Sequence, residues 1–276
     1  METRARRGCE ALLLFVALLT LLAPGADATW SIVAVDPETR EVGIAGASCI
    51  LGSELLARLV PGHGAVAAQA IPNLAARDEI ARRVAAGESP AAALAAVTEG
   101  SFDTMLGSSM ARIRQYGVAA LGFEHDPANF TGSWAVDFAG ARIGNGVTVQ
   151  GNMLRGADVV EQALEAFEEK RSACKPSLAD RLMAALEAGS RAGGDARCSE
   201  DLTALSAFLM VAKPDDDPDR PSLHLLRQRP GATPRSPWTE LTRAMMIATE
   251  PGGADENPVT LLRQAYDAQR GSGRCP

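Results

Sequence analysis

The chain has few large anchors for a core. Phe, Trp and Tyr together make up 4% of its 276 residues, while alanine and glycine are abundant. Its interior must therefore be built from small and aliphatic side chains, with backbones packed close together. Clustered Lys and Arg are also lacking: a net charge of -7 and a pI near 5.1 argue against the counterion-displacing surface that nucleic acid requires. No C-x-x-C pair occurs, which argues against zinc and thioredoxin-like sites. No G-x-G-x-x-G fingerprint, tandem repeat or coiled coil is present. The sequence implies neither a cofactor nor a metal. Beyond residue 28 no segment is apolar enough to span a bilayer, and no lysine precedes Lys170 in that part.

What is there describes a folded chain. With 46% hydrophobic and 22% charged residues, it has ample length to bury the core of one large or two small domains. Its first residues have the form of an export signal. Arg4, Arg6 and Arg7 precede an apolar run from Ala11 to Ala23, and Ala26-Asp27-Ala28 has the small-x-small pattern of a cleavage site. An uncleaved anchor and a cut after Gly25 are the competing readings. Cys9 lies before the apolar run, badly placed for lipid attachment. Cleavage after Ala28 makes Thr29 the new amino terminus, and the expected location is secreted or periplasmic, with no stable membrane insertion afterwards. A terminal threonine carries its own base, because its α-amine, with a pKa of about 7.7 to 8, takes the proton from its own hydroxyl. That combination defines the N-terminal nucleophile hydrolases; the alternative is that Thr29 is a β-favouring residue opening an edge strand.

Without the leader, Cys49, Cys174, Cys198 and Cys275 remain, which permits up to two disulfides in three connectivities. Spacing alone does not choose. A bridge between Cys174 and Cys198 is favoured, because each sits beside a helix boundary and the bridge would staple a helical hairpin for ~3 kcal/mol.

Along the chain, Ser31 to Val35 and Val42 to Ala47 form a predicted hairpin around Asp36-Pro37-Glu38-Thr39-Arg40. The turn Pro61-Gly62-His63-Gly64 leads into a third strand, Ala65 to Ala70. Helices are predicted from Leu74 to Ala86 and, capped by Ser89 with Pro90 at the first position, on to Gly100. Strands follow at Arg114 to Leu121, Gly132 to Phe138 and Gly146 to Gly151, with a strong turn at Gly144-Asn145-Gly146. A second helical pair, Ala157 to Arg171 and Ser177 to Ala188, precedes strands at Leu205 to Ala212 and Leu223 to Arg227. The acidic turn Asp215-Asp216-Asp217 reads as a solvated loop. Helices at Trp238 to Thr249 and Pro258 to Gln269 close the chain. This order predicts an α+β fold, two largely antiparallel sheets with helices outside them, as a four-layer αββα sandwich. The expected organisation is a leader (1–28), a hydrolase-like domain (29–230) and a helical C-terminal extension (231–276).

Specific runs carry a resemblance. S-I-V-A-V-D-P-E-T-R-E-V-G-I-A-G-A-S, G-H-G-A-V-A-A-Q-A, R-Q-Y-G-V-A-A-L-G, T-G-S-W, V-Q-G-N-M-L-R-G and A-G-G-D-A-R, in that order, closely resemble the bacterial family called domain of unknown function 1028. Its members look like N-terminal nucleophile hydrolases in fold, commonly with Thr immediately after the initiator Met. The resemblance thus implies the four-layer fold of that type and makes Thr29 the equivalent position, exposed by a different protease. It supplies no substrate. Cys198, where the family usually has a small residue, and His63 depart from the pattern.

The residues admit a concrete chemistry. Thr29 Oγ1 attacks an amide carbonyl, with its α-amine as base and then as acid. Ser48, at the far end of the paired strand, hydrogen-bonds that amine or is a satisfied buried hydroxyl. Asn152, after Gly151, offers an oxyanion donor of about 2.7 to 4 kcal/mol or is an ordinary turn residue. Asp195 orients the amine or caps a loop. Gln69, with Gly151, binds substrate, or Gln69 satisfies a buried strand end. The expected partner is a small-molecule or peptide-like amide substrate, and homo-oligomerisation is left open. A non-catalytic protein that keeps the fold and binds a ligand in its small-residue cleft is the alternative class.

Overall fold

The computed structural model describes residues 29–105, 108–172, 176–198, 202–229 and 256–270. The leader and the helix expected at Trp238 to Thr249 lie outside them. The chain opens with β1 (Thr29–Val35), β2 (Val42–Ser48), β3 (Ala57–Val60) and β4 (Gly64–Ala70), followed by α1 (Leu74–Ala85) and α2 (Pro90–Thr98). A small ribbon of β5 (Thr104–Met105) and β6 (Ser108–Ser109) precedes β7 (Arg114–Ala120), β8 (Ala128–Thr131), β9 (Gly140–Gly144) and β10 (Val147–Asn152). Then come α3 (Asp158–Ser172), α4 (Leu178–Arg191), β11 (Ser206–Ala212), β12 (Leu223–Gln228) and α5 (Pro258–Arg270).

Six strands pair in the order β12-β11-β2-β1-β10-β9 and four in the order β3-β4-β7-β8, every neighbour antiparallel. Side-chain alternation along the strands then decides the layers. Trp30, Ile32 and Ala34 of β1, with Ala45, Val149 and Leu209, pack on Val160, Phe167, Leu182 and Leu186 of α3 and α4. Val33, Val35, Val42 and Ile44 point the other way and meet Leu59, Ala65, Ala67 and Ala119 of the second sheet. The outer face of that sheet, with Val66, Tyr116 and Val118, is covered by Ile80 and Val84 of α1 and by Leu94 and Val97 of α2. The fold is α+β, with antiparallel sheets face to face and helices outside.

Local chemistry explains the helix ends. Asn73 and Ser89 accept from the backbone N–H groups of Ala76 and Ala92, and Ser177 with Asp180 forms a reciprocal capping box. Helix α4 does not stop at Gly189, where the sequence suggested an end. It runs on to Arg191; a Cβ at Gly189 would stand 2.7 Å from the indole Nε1 of Trp30, so this glycine serves close helix–sheet approach and not a helix stop.

Two expectations need correction. The segment 132–138 is not a strand. The ladder runs through β8 and then leaves the sheet, with Trp134 N–H donating to Arg112 O and Ala135 N–H closing a turn on Gly132 O. The alternating Trp134, Val136 and Phe138 mimicked a half-buried strand, yet Trp134 and Val136 are exposed. The polar strand β9, which pairs with β10 instead, carried no such pattern.

The disulfide joins Cys49 to Cys198, with a Cα–Cα distance of 5.8 Å, so Cys198 is not bridged to Cys174. The reason is register: β2 ends at Ser48, paired with Ser206 of β11, and Asp195 of the loop before β11 accepts from Cys49 N–H at 2.7 Å, which brings Cys198 to Cys49; Cys174 lies outside the described residues.

The helix expected at Pro258 to Gln269 forms as α5 and packs on the main core. Val259, Leu262 and Tyr266 of α5 are buried in it, and Tyr266 donates to Asp180 Oδ1 at 3.0 Å.

Candidate functional site

The layer between the sheets changes character along its length. At one end it is apolar. At the other, where β1, β7 and β11 begin and β2, β4, β8 and β10 finish, Thr29, Ser31, Ser48, Gln69, Gln115, Gln150 and Asn152 are all buried. Period-two alternation places them there: Thr29 and Ser31 lie on the same side of β1 as Val33 and Val35. Thr29 stands in register with Ser48 on one flank and Asn152 on the other. In the facing sheet Gln69 is paired with Gln115.

Hydrogen bonds tie the two sheets together here. The Thr29 hydroxyl donates to Ser48 Oγ at 3.1 Å. Gln69 Nε2 donates to the Thr29 carbonyl at 3.1 Å and to Gln115 Oε1 at 2.7 Å, while Ser31 Oγ donates to Gln69 Oε1 at 2.7 Å. Gln115 Nε2 donates to the Gly151 carbonyl at 2.8 Å. Asn152 Nδ2 donates to Gln115 Oε1 at 3.2 Å, which leaves Asn152 Oδ1 buried without a hydrogen-bond donor. Such an orphan in a satisfied network calls for a missing partner.

Asp195 approaches from the loop after α4. Its carboxylate accepts from Cys49 N–H at 2.7 Å and pairs with Arg197 at 2.8 Å, while Arg197 Nη2 reaches Ser48 Oγ at 3.5 Å. The loop is held by the disulfide, by the bridge Leu154↔Asp195 and by Arg155 N–H on Gly194 O. Contacts thus link Asp195 to Thr29 by way of Arg197 and Ser48. Strain collects at the same place: Ala70 (φ 71°) follows Gln69 and Met153 (φ 51°) follows Asn152, left-handed conformations that non-glycine residues hold only when their surroundings enforce them. On the nearby loop after β2, burial pushes the Glu54 carboxyl above its ordinary range.

The structure thus brings Thr29, Ser48, Gln69, Asn152 and Asp195 to one end of the sheets. Gly151 lies beside them with its open side turned toward Leu154 on the helical face and its carbonyl held by Gln115. His63 sits in an exposed turn on Pro61 O. The acidic turn spends Asp216 on the N–H groups of Lys213 and Ser222. Sequence reasoning missed Ser31, Gln115, Gln150 and Arg197 as site residues. Glutamine at inward positions of strands made of Ala and Gly was the available signal for two of them, since such positions are otherwise apolar.

Residues 29–232 match the model of a family of unknown function, DUF1028. The chain belongs to that family. The DUF1028 match opens on Thr29, the first residue of β1. A crystal structure of protein SPO2555 from Silicibacter pomeroyi, also assigned to DUF1028, is similar with a TM-score of 0.62 and 26% identity over 90% of each chain. No curated protein matches the chain. Among the described residues no helix is long and apolar enough to cross a membrane.

Proposed function

We propose that removal of residues 1–28 turns this DUF1028 protein into an exported amidohydrolase of the N-terminal nucleophile type, cleaving a small amide or peptide-like bond with Thr29. One observation carries the reading. Thr29 heads a central strand, not an edge strand, at the polar end of the inter-sheet layer, between Ser48 and Asn152. Facing antiparallel sheets with helices outside accord with the four-layer αββα sandwich of that enzyme type, and the disulfide accords with an oxidising compartment.

In the 276-residue chain the Thr29 nitrogen is an amide and has no basic lone pair. Freed, it becomes the base. Thr29 Oγ1 adds to the substrate carbonyl as the α-amine takes its proton, the amine returns that proton to the departing nitrogen, and water hydrolyses the resulting ester with the same amine as base. Asn152 Oδ1 receives a hydrogen from the α-amine, and the second Nδ2 hydrogen, beyond the one given to Gln115, serves the oxyanion. Arg197, held by Asp195, places positive charge beside Ser48 and favours electron density on Thr29 Oγ1.

A ligand-binding protein without turnover is the second reading, favoured by the extent to which Gln69 and Gln115 are already hydrogen-bonded within the protein. Amino-terminal sequencing of the exported protein, followed by an amide and lactam library screen, separates the two. A start at Thr29 with turnover that Thr29→Ala abolishes and Thr29→Ser retains in part supports the enzyme. A start upstream of Thr29 with no turnover supports the binder.

A further inference from the structure

Seven large hydrophobic side chains are exposed among the described residues, and their placement is uneven. Ile143 lies within β9. The other six, Leu55, Leu74, Phe102, Met105, Trp134 and Val136, all lie at the polar end of the inter-sheet layer.

Contacts of the intervening arginines and backbone join them into one arc. Arg77 of α1, one turn from Leu74, donates to the Leu55 carbonyl. Arg114 donates to Ile71 O, on the loop that leads to Leu74, and pairs with Asp103, beside Phe102, at 2.8 Å. The ribbon carrying Met105 pairs Thr104 with Ser109, whose carbonyl accepts from Arg112. The Arg112 guanidinium lies 4.4 Å from the Trp134 ring centroid. Val136 O accepts from Met153 N–H at 2.9 Å, the residue next to Asn152. Exposed apolar side chains gathered at one end of a fold mark a ligand or partner site more readily than scattered ones do, and here, through Val136 and Met153, they border a buried acceptor, Asn152 Oδ1, that lacks a donor.

We infer that this rim binds the apolar acyl group of the substrate, so that the amide enters the polar end of the layer while an aliphatic chain lies along Trp134, Val136, Phe102 and Met105. The inference rests on the hydrolase reading for the position of the amide. It selects aliphatic carboxamides over small polar ones, because the polar interior is too well paired to hold a long chain and the rim is not.

The exported Thr29→Ala protein titrated calorimetrically with butanamide, hexanamide and octanamide tests this without turnover. Affinity is expected to rise roughly tenfold for each two carbons added, and the rise should flatten in Phe102→Ala/Met105→Ala/Trp134→Ala, whose exposed substitutions leave the circular dichroism unchanged. Equal affinities for the three amides, or a slope kept by the triple variant, overturn the rim, while turnover of acetamide by the wild-type protein would leave the Thr29 chemistry standing. A slope without any cleavage of octanamide supports the apolar subsite and removes the hydrolase reading instead. A dimer in light scattering that the triple variant dissociates assigns the rim to a second copy and overturns the inference.

Discussion

Replacing both bridged cysteines, Cys49→Ala/Cys198→Ala, should lower stability mainly through the unfolded chain. The two residues are 149 apart in sequence, and closing a loop of that length removes unfolded-state entropy worth about 5 kcal/mol in the chain-entropy model. The folded side loses less, because the loop keeps the Asp195 carboxylate on Cys49 N–H and the bond from Arg155 N–H to Gly194 O. With a urea slope of about 3 kcal/mol/M, the midpoint should fall by roughly 1.5 to 2 M when unfolding is followed by circular dichroism. Non-reducing peptide mapping of the wild-type protein should recover Cys49 joined to Cys198. A midpoint shift under ~0.3 M, or a peptide joining Cys198 to Cys174, refutes the reasoning.

Gly117→Ala should cost about 1 to 3 kcal/mol as an overpacked site, because the new Cβ would stand 2.1 Å from Gln150 Oε1 and Gln150 is pinned by Thr148 and Ser31; thermal unfolding checks it, and an unchanged Tm contradicts it. Alkaline titration should find no phenolate near the usual 10.0 while the fold persists. Burial, aided by the Asp103 charge, raises the Tyr116 phenol, and burial chiefly pushes Tyr266 up to about 12; the chain has only these two tyrosines. Since both folded values are raised, their contribution to stability is complete below pH 10 and is lost as pH climbs through the folded values. Phenolate absorbance at the ordinary pH with native circular dichroism would contradict it.

Much of this fold is readable from local chemistry. The hairpin β1–β2 follows from Asp36-Pro37 between two β-branched and small-residue runs, and α2 from Ser89-Pro90. What failed had a common cause, in that the deciding contact was distant in sequence. Trp134 and Val136 alternate as a strand does, yet the loop is held by Arg112 and Met153. The bridge between Cys49 and Cys198 follows from the pairing of β2 with β11, which spacing does not disclose. At the site, Thr29, Ser48 and Asn152 are legible because register in an antiparallel sheet brings strand ends together. Gln115 and Arg197 were not, because their partners come from the opposite sheet and from a loop.

The central claim is that Thr29 Oγ1 is a nucleophile only when the Thr29 amine is free. Peptide mass spectrometry after exposure to a β-lactone reads this directly, since ring opening by a hydroxyl adds the whole lactone to the attacking residue. Protein beginning at Thr29 should carry the adduct on Thr29 Oγ1, and protein beginning at Ala28 should carry none there. Equal labelling of Thr29 in both forms, or labelling of Ser48 in its place, would contradict the account.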